Sequence, residues 1–130
     1  METKRCILIV DDDQELREFL KELLAAEDRD ILTAKNLTQT YEILSNEAVD
    51  LILLDLYLPD GTGIRLLTDL STRARVPKKK PGIIVMTAFG SWETHVRAYN
   101  LGAHYYLDKP FKVTQVRTLV DQALRQTAVQ

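Results

Sequence analysis

"LILLDLYLPDGTG", residues 51–63, opens as an uninterrupted apolar run and meets a carboxylate at Asp55, after which one proline and two glycines arrive within eight residues. A run without polar alternation is the mark of a strand buried on both faces, and such strands belong to parallel sheets covered by helices. Proline and glycine then end it in a sharp turn. Asp55 therefore stands at the carboxyl end of a core strand, where the chain carries an ionisable group out of its own interior.

The same strand-then-helix unit recurs on either side. "CILIV" (6–10) precedes "LREFLKELLAA", which sets Leu16, Phe19, Leu20, Leu23 and Leu24 on one helical face. "DILTAKN" (30–36) gives a second strand, and Asn36 can cap a helix that buries Leu37, Tyr41 and Leu44. Beyond the central stretch, "GIRLLTDL" spaces Ile64, Leu67 and Leu70 as a helix does. "GIIVMTA" (82–88) is a fourth strand, followed by "WETHVRAYNLGA", whose Gly102 suits a helix end. "HYYLD" (104–108) is the fifth, and Val113, Val116, Leu119, Val120 and Leu124 line the last helix. Five such pairs predict an α/β fold, a doubly wound (βα)5 three-layer sandwich on a parallel five-stranded sheet of order 2-1-3-4-5. Ligands of such sheets collect at the carboxyl ends of strands one and three, here "VDDD" and "LLDLYLPDG".

With 130 residues and 45% hydrophobic content the chain suits one domain, residues 1–130 with a core of about 5–125. Lys plus Arg 17 against Asp plus Glu 19 gives a net charge of −2, which argues against direct nucleic-acid contact or membrane attraction. The single cysteine, Cys6, sits in an apolar run as a small hydrophobe, which fits a reducing compartment. No span-length apolar segment or signal-peptide pattern is present, and the expected location is cytoplasmic. "STRARVPKKKPG" (71–82) gathers Arg73, Arg75, Lys78, Lys79 and Lys80 between helix and strand. It reads as a solvated connection, with a docking patch for an acidic partner as the alternative.

Strand geometry brings Asp11 and Asp12 beside Asp55. Their repulsion is relieved either by retained protons or by a hard, oxygen-seeking divalent cation such as Mg²⁺, and the absence of imidazole and thiolate partners favours the cation. For Asp13 a helix N-cap is an equal alternative. Thr87 ends the fourth strand and Lys109 follows the fifth, at the same rim. The lysine is a counter-ion to the acids, or with a phosphoryl group present a clamp on its oxygens, with the hydroxyl as donor.

"ILIVDDDQELR", "LILLDLYLPDGTG", "IIVMTA" and "GAHYYLDKPF", in this order and at these separations, resemble the receiver domain of two-component response regulators, over essentially the whole chain. A member of that family is itself a standard illustration of the 2-1-3-4-5, flavodoxin-like order, so topology and resemblance are one line of reasoning. The resemblance implies that Asp55 accepts a phosphoryl group from a sensor histidine kinase or phosphotransfer protein. It implies Mg²⁺ (or Mn²⁺) bound by Asp12, Asp55 and the Tyr57 carbonyl, with Asp11 reaching it through water. It also implies Thr87 and Lys109 on the phosphoryl oxygens, Thr87 and Tyr106 as switch residues, and a cis bond from Lys109 to Pro110. The switching face is then the fourth helix, fifth strand and fifth helix, acting on an effector domain or downstream protein. A phosphorylation-dependent homodimer through that face is a further expectation. Tyr105 and Tyr106, adjacent on a strand, point to opposite sides, so one of them at most is a switch residue.

Tyr57 and Phe89, each two residues beyond a site residue, occupy positions that tune dephosphorylation in the family. Their bulk predicts slow self-dephosphorylation, since neither orients a water well. Trp92 at a helix start suits either packing or a place near the site, and His95 and His104 show no metal-ligand spacing. The expected protein is a phosphoacceptor module that assists its own phosphorylation and dephosphorylation, and no turnover enzyme. The alternatives are a phosphate-independent interaction domain and an aspartyl-phosphate hydrolase. The hydrolase lacks a second aspartate at position 57 and room for a cap. The final "ALRQTAVQ" suits a stand-alone receiver and a part of a longer regulator alike.

Overall fold

The apolar run that starts at Leu51 becomes β3 (Leu51–Asp55), the middle strand of a five-stranded sheet, in a computed structural model that describes residues 4–72, 79–88 and 91–129. Before it come β1 (Arg5–Val10), α1 (Gln14–Leu24), β2 (Arg29–Ala34) and α2 (Leu37–Asn46). After it come a small hairpin, β4 (Tyr57–Leu58) and β5 (Gly61–Thr62), then α3 (Gly63–Thr72), β6 (Gly82–Thr87), α4 (Trp92–Asn100), β7 (Tyr105–Asp108) and α5 (Val113–Val129). The strand order is β2-β1-β3-β6-β7, every pairing parallel. With the hairpin set aside this is the expected 2-1-3-4-5 order, and β1 and β3 are neighbours where the winding reverses.

Residue parity assigns the helices to faces. Leu8, Val10, Ile52, Leu54, Ile83 and Val85 point to one side and pack against Leu37 and Leu44 of α2, Leu66, Leu67 and Leu70 of α3, and Ala98 of α4. Ile7, Ile9, Leu51, Leu53, Ile84, Met86 and Leu107 point to the other, against Leu20 and Leu24 of α1 and Val116, Val120 and Leu124 of α5. Burying one such aliphatic side chain contributes about 1.5–3 kcal/mol, and Leu51 to Leu54 of β3 and Ile7 to Val10 of β1 are each fully enclosed, so these two neighbouring strands form the centre of the core.

Local capping agrees with the sequence. Asp13 is the N-cap of α1, its side chain accepting the Leu16 N–H, and Asn36 caps α2 by accepting the Gln39 N–H. Ser91 does the same for α4, which ends just before Gly102. Two expectations fail: Phe19 of α1 is 46% exposed and Val113 of α5 is 38% exposed. Each stands at the margin of an apolar stripe wider than the sheet it covers. Tyr105 and Tyr106 do face opposite sides, packing against different halves of the core. Among the described residues no helix is long and apolar enough to cross a membrane. Of the basic connection only Lys79 and Lys80 are described. Lys79 pairs with the buried Asp50, so it is no free docking cation.

Candidate functional site

The carboxyl ends of β1 and β3 lie side by side, with Val10 opposite Leu54, and that register delivers the acids that follow. One carboxylate oxygen from each of Asp11, Asp12 and Asp55 falls within a cluster 4.8 Å across. Asp11 and Asp55 are buried and Asp12 is exposed, so the cluster is a cleft with a closed floor and one open wall.

Each buried acid is oriented twice. Asp11 accepts the Asp13 N–H at 3.0 Å on Oδ1 and the Lys109 ammonium at 2.6 Å on Oδ2. Asp55 accepts the Tyr57 N–H at 3.0 Å on Oδ1 and Lys109 at 3.1 Å on Oδ2. Lys109 arrives from the loop after β7, its own N–H held by the Thr87 carbonyl at 3.0 Å, and the Lys109–Pro110 bond is cis as expected. Thr87 itself is buried at the end of β6, opposite Asp108 in register.

The electrostatics of the cleft are lopsided. Burial pushes the Asp55 carboxyl above its ordinary value, and Asp11 adds to the rise. The Tyr57 N–H and the Lys109 charge pull it down without prevailing. Burial also works against the Lys109 ammonium, but the hydrogen bond and charge of Asp11, joined by Asp55, outweigh it and hold its proton more tightly than usual. Asp55 rises through burial and Lys109 through its two acids, and the shorter of the lysine's two bonds goes to Asp11. Three converging carboxylates against one ammonium, all ligand atoms hard oxygens, fit a small divalent cation of the Mg²⁺ or Mn²⁺ kind.

The predicted site residues divide into those brought together and those set apart. Asp11, Asp12, Asp55 and Lys109 converge, the Tyr57 backbone meets Asp55, and the Tyr57 side chain is 46% exposed. Tyr106 lies away from the acids: its hydroxyl donates to the His95 carbonyl of α4, and the two rings pack with centroids 4.7 Å apart. Phe89 lies outside the described residues. Trp92 is 79% exposed and lines a groove with Thr68 of α3 and Val96 and Arg97 of α4, with no site acid among its walls.

Two contributors escaped the sequence reading. Arg17 of α1 donates to the Asp11 carbonyl at 2.7 Å and so fixes the backbone beneath the acids. One helical turn after Asp13, an arginine reads as a solvated surface residue. His95, given no role, packs on Tyr106, with its enclosed Nε2 3.6 Å from Asp108. Its only signal was its position one turn into α4.

Comparison with known proteins identifies the family. The response regulator receiver domain model matches residues 7–121, and the chain belongs to that family. It is 36% identical over 118 residues to the response regulator protein PilR of Pseudomonas aeruginosa, covering 91% of this chain and 26% of PilR. It is 38% identical over 121 residues to the transcriptional regulatory protein CpxR of Klebsiella pneumoniae, covering 93% of this chain and 50% of CpxR. The chain thus spans half or less of these two relatives. A CheY-like response regulator receiver domain protein from Methanospirillum hungatei superposes with a TM-score of 0.86 at 28% identity, over 97% of this chain and 98% of that one.

Proposed function

We propose that Asp55 accepts a phosphoryl group from a phosphohistidine of a sensor kinase or phosphotransfer protein, and that the molecule is a switch with no turnover of its own. The observation that carries this is the ammonium of Lys109 shared between Asp11 and Asp55 in a three-carboxylate cleft. An ammonium so placed can follow the charge as it moves from carboxylate to phosphoryl oxygens.

In the transfer an Asp55 carboxylate oxygen forms a bond to phosphorus while the phosphorus–nitrogen bond breaks, its electron pair leaving with the imidazole. Tyr57 N–H and Lys109 hold the carboxylate in one orientation beforehand, so little reorganisation remains at the moment of transfer. Asp11, Asp12, Asp55 and the Tyr57 carbonyl would hold Mg²⁺ or Mn²⁺. When bound, the metal supplies positive charge against the attacking oxygen and the transferred group. Thr87, buried at the end of β6, supplies the hydroxyl that meets the new oxygens.

Residues 1–130 would form one cytoplasmic receiver unit. Movement of Thr87 and of Tyr106 beneath α4 would change the face made by α4, β7 and α5, and through it an effector domain, a downstream protein or a second copy. Intact-mass measurement after incubation with acetyl phosphate tests the proposal. A gain of one phosphoryl group that needs Mg²⁺ and is lost in Asp55→Asn supports it, whereas an equal gain in that variant refutes it.

A further inference from the structure

We propose that Asp60 is a positioning residue for the acceptor, an inference that rests on the reading of Asp55 above. It acts by nailing the loop that carries Tyr57 to the amino end of α2. Asp60 lies in the turn of the β4–β5 hairpin, and its carboxylate reaches across to a helix 22 to 23 residues away in sequence. Its Oδ1 accepts the Leu37 N–H at 2.8 Å, and its Oδ2 accepts the Thr38 N–H at 3.0 Å and the Thr38 hydroxyl at 2.9 Å. Asn36 meanwhile takes the Gln39 N–H at 2.8 Å on its side chain and the Thr40 N–H at 3.2 Å on its carbonyl. The orphan amides of the first helical turn are thus divided between a local cap and a distant one. The Leu37 N–H, with those of Thr38, holds the Asp60 carboxyl below its ordinary value.

The glycines show that this contact is built into the loop. Gly61 has φ +147°, and a Cβ there would lie 2.9 Å from Leu37 Cδ1, so glycine lets the hairpin tip lie flat on the first residue of α2. A Cβ on Gly63 would lie 2.9 Å from the Asp55 carbonyl oxygen, and the Gly63 N–H bonds the Leu56 carbonyl at 2.8 Å. The loop is closed at its base on β3 and fastened at its tip to α2. Tyr57 lies between the two fastenings, paired with Thr62 in the hairpin, and its N–H meets Asp55 Oδ1. Asp60 thereby fixes the hairpin residue that presents its N–H to Asp55 and whose own carbonyl would serve the metal.

A cap that serves α2 alone predicts something different, and two variants separate the readings. Asn36→Ala loosens the same helix end without releasing the hairpin, whereas Asp60→Ala does both. Both should lower the melting temperature, so stability does not discriminate. On the whole chain, native-state exchange of the Tyr57 amide and binding of Mn²⁺ alone, followed by loss of the free-ion resonance signal, do. In Asp60→Ala the Tyr57 amide should exchange on the order of tenfold faster relative to the β3 amides, and Mn²⁺ should bind on the order of fivefold more weakly. Asp60→Asn, which keeps one acceptor, should recover much of both, and Asn36→Ala should change neither beyond about twofold. Equal effects of Asp60→Ala and Asn36→Ala, or an unchanged Tyr57 amide in Asp60→Ala, would overturn the proposal. Neither readout needs phosphoryl transfer, so each holds or fails separately from the acceptor reading, which the acetyl phosphate mass gain tests.

Discussion

Lys109 divides one ammonium between two buried carboxylates, and the shorter bond goes to Asp11. Asp55 is left as the acid with the larger unmet need for positive charge. Because the folded molecule raises the Asp55 carboxyl above its ordinary value, protonated Asp55 adds stability that is fully present below the unfolded value and is lost as pH rises through the folded one. Asp55→Asn should therefore melt higher than the parent at pH 7 without metal, by a few degrees. The gap should close toward acid pH. Added Mg²⁺ should raise the melting temperature of the parent and not of the variant, since a ligand stabilises only the state that binds it. Calorimetry of both proteins at two pH values, with and without the ion, checks this. A variant that melts lower than the parent at pH 7 would contradict the account. That Asp55 would matter was legible, because it ends an apolar strand at the same rim of the sheet as Asp11 and Asp12, a coincidence that a lone strand-end cap leaves unexplained. That Lys109 would stand against the acids was legible too, but the Tyr57 N–H and the unequal sharing of the ammonium between Asp11 and Asp55 were not, because they depend on side-chain and backbone directions that no spacing encodes.

At the scale of elements, the two ends of the sheet are built differently. The carboxyl end holds the acid cleft. The opposite end holds Asp50, which accepts the Cys6 N–H at 2.7 Å and pairs with Lys79 and, at 3.5 Å, with Arg5. Burial works against the Asp50 charge, but the Lys79 bond, the Cys6 N–H and the nearby cations outweigh it and hold the carboxyl below its ordinary value. Its contribution is therefore present above the unfolded value and lost as pH falls through the folded one. Asp50→Asn should cost about 2 kcal/mol at pH 7, discounted for the half-exposed lysine, and progressively less as pH falls from about 4 through the lower folded value, as read from urea unfolding at pH 7 and in strong acid. A loss of equal size at both pH values would mean that packing and not charge is what Asp50 supplies. The five sheet strands were legible because each is a short apolar run followed by a helical stripe. The β4–β5 hairpin and its bond to α2 were not, because "PDG" reads as a turn whatever it touches, and the Leu37 and Thr38 amides lie 22 to 23 residues away. Phe19 and Val113 misled for a related reason: periodicity gives the direction of a stripe and not the width of the sheet that covers it.

Taken whole, the molecule has its chemistry at one rim and a candidate output face beside it, joined by β7. That strand carries Tyr106, bonded to α4, and leads directly into Lys109. A phosphoryl group that redirects Lys109 would act on the same short strand that holds α4, so the α4–β7–α5 face should respond as a unit. If that face pairs with a second copy, sedimentation should show a larger species when beryllofluoride and Mg²⁺ are both added, and equal sedimentation would count against pairing. The acceptor atom itself can be located directly. After incubation with acetyl phosphate and Mg²⁺, an acyl phosphate can be reduced with borohydride, which marks the acylated aspartate as homoserine for peptide sequencing by mass. The mark should fall at Asp55 alone, in the tryptic peptide of residues 36–65. A mark at Asp11 or Asp12, or a phosphoryl gain with no reducible acid, would contradict it.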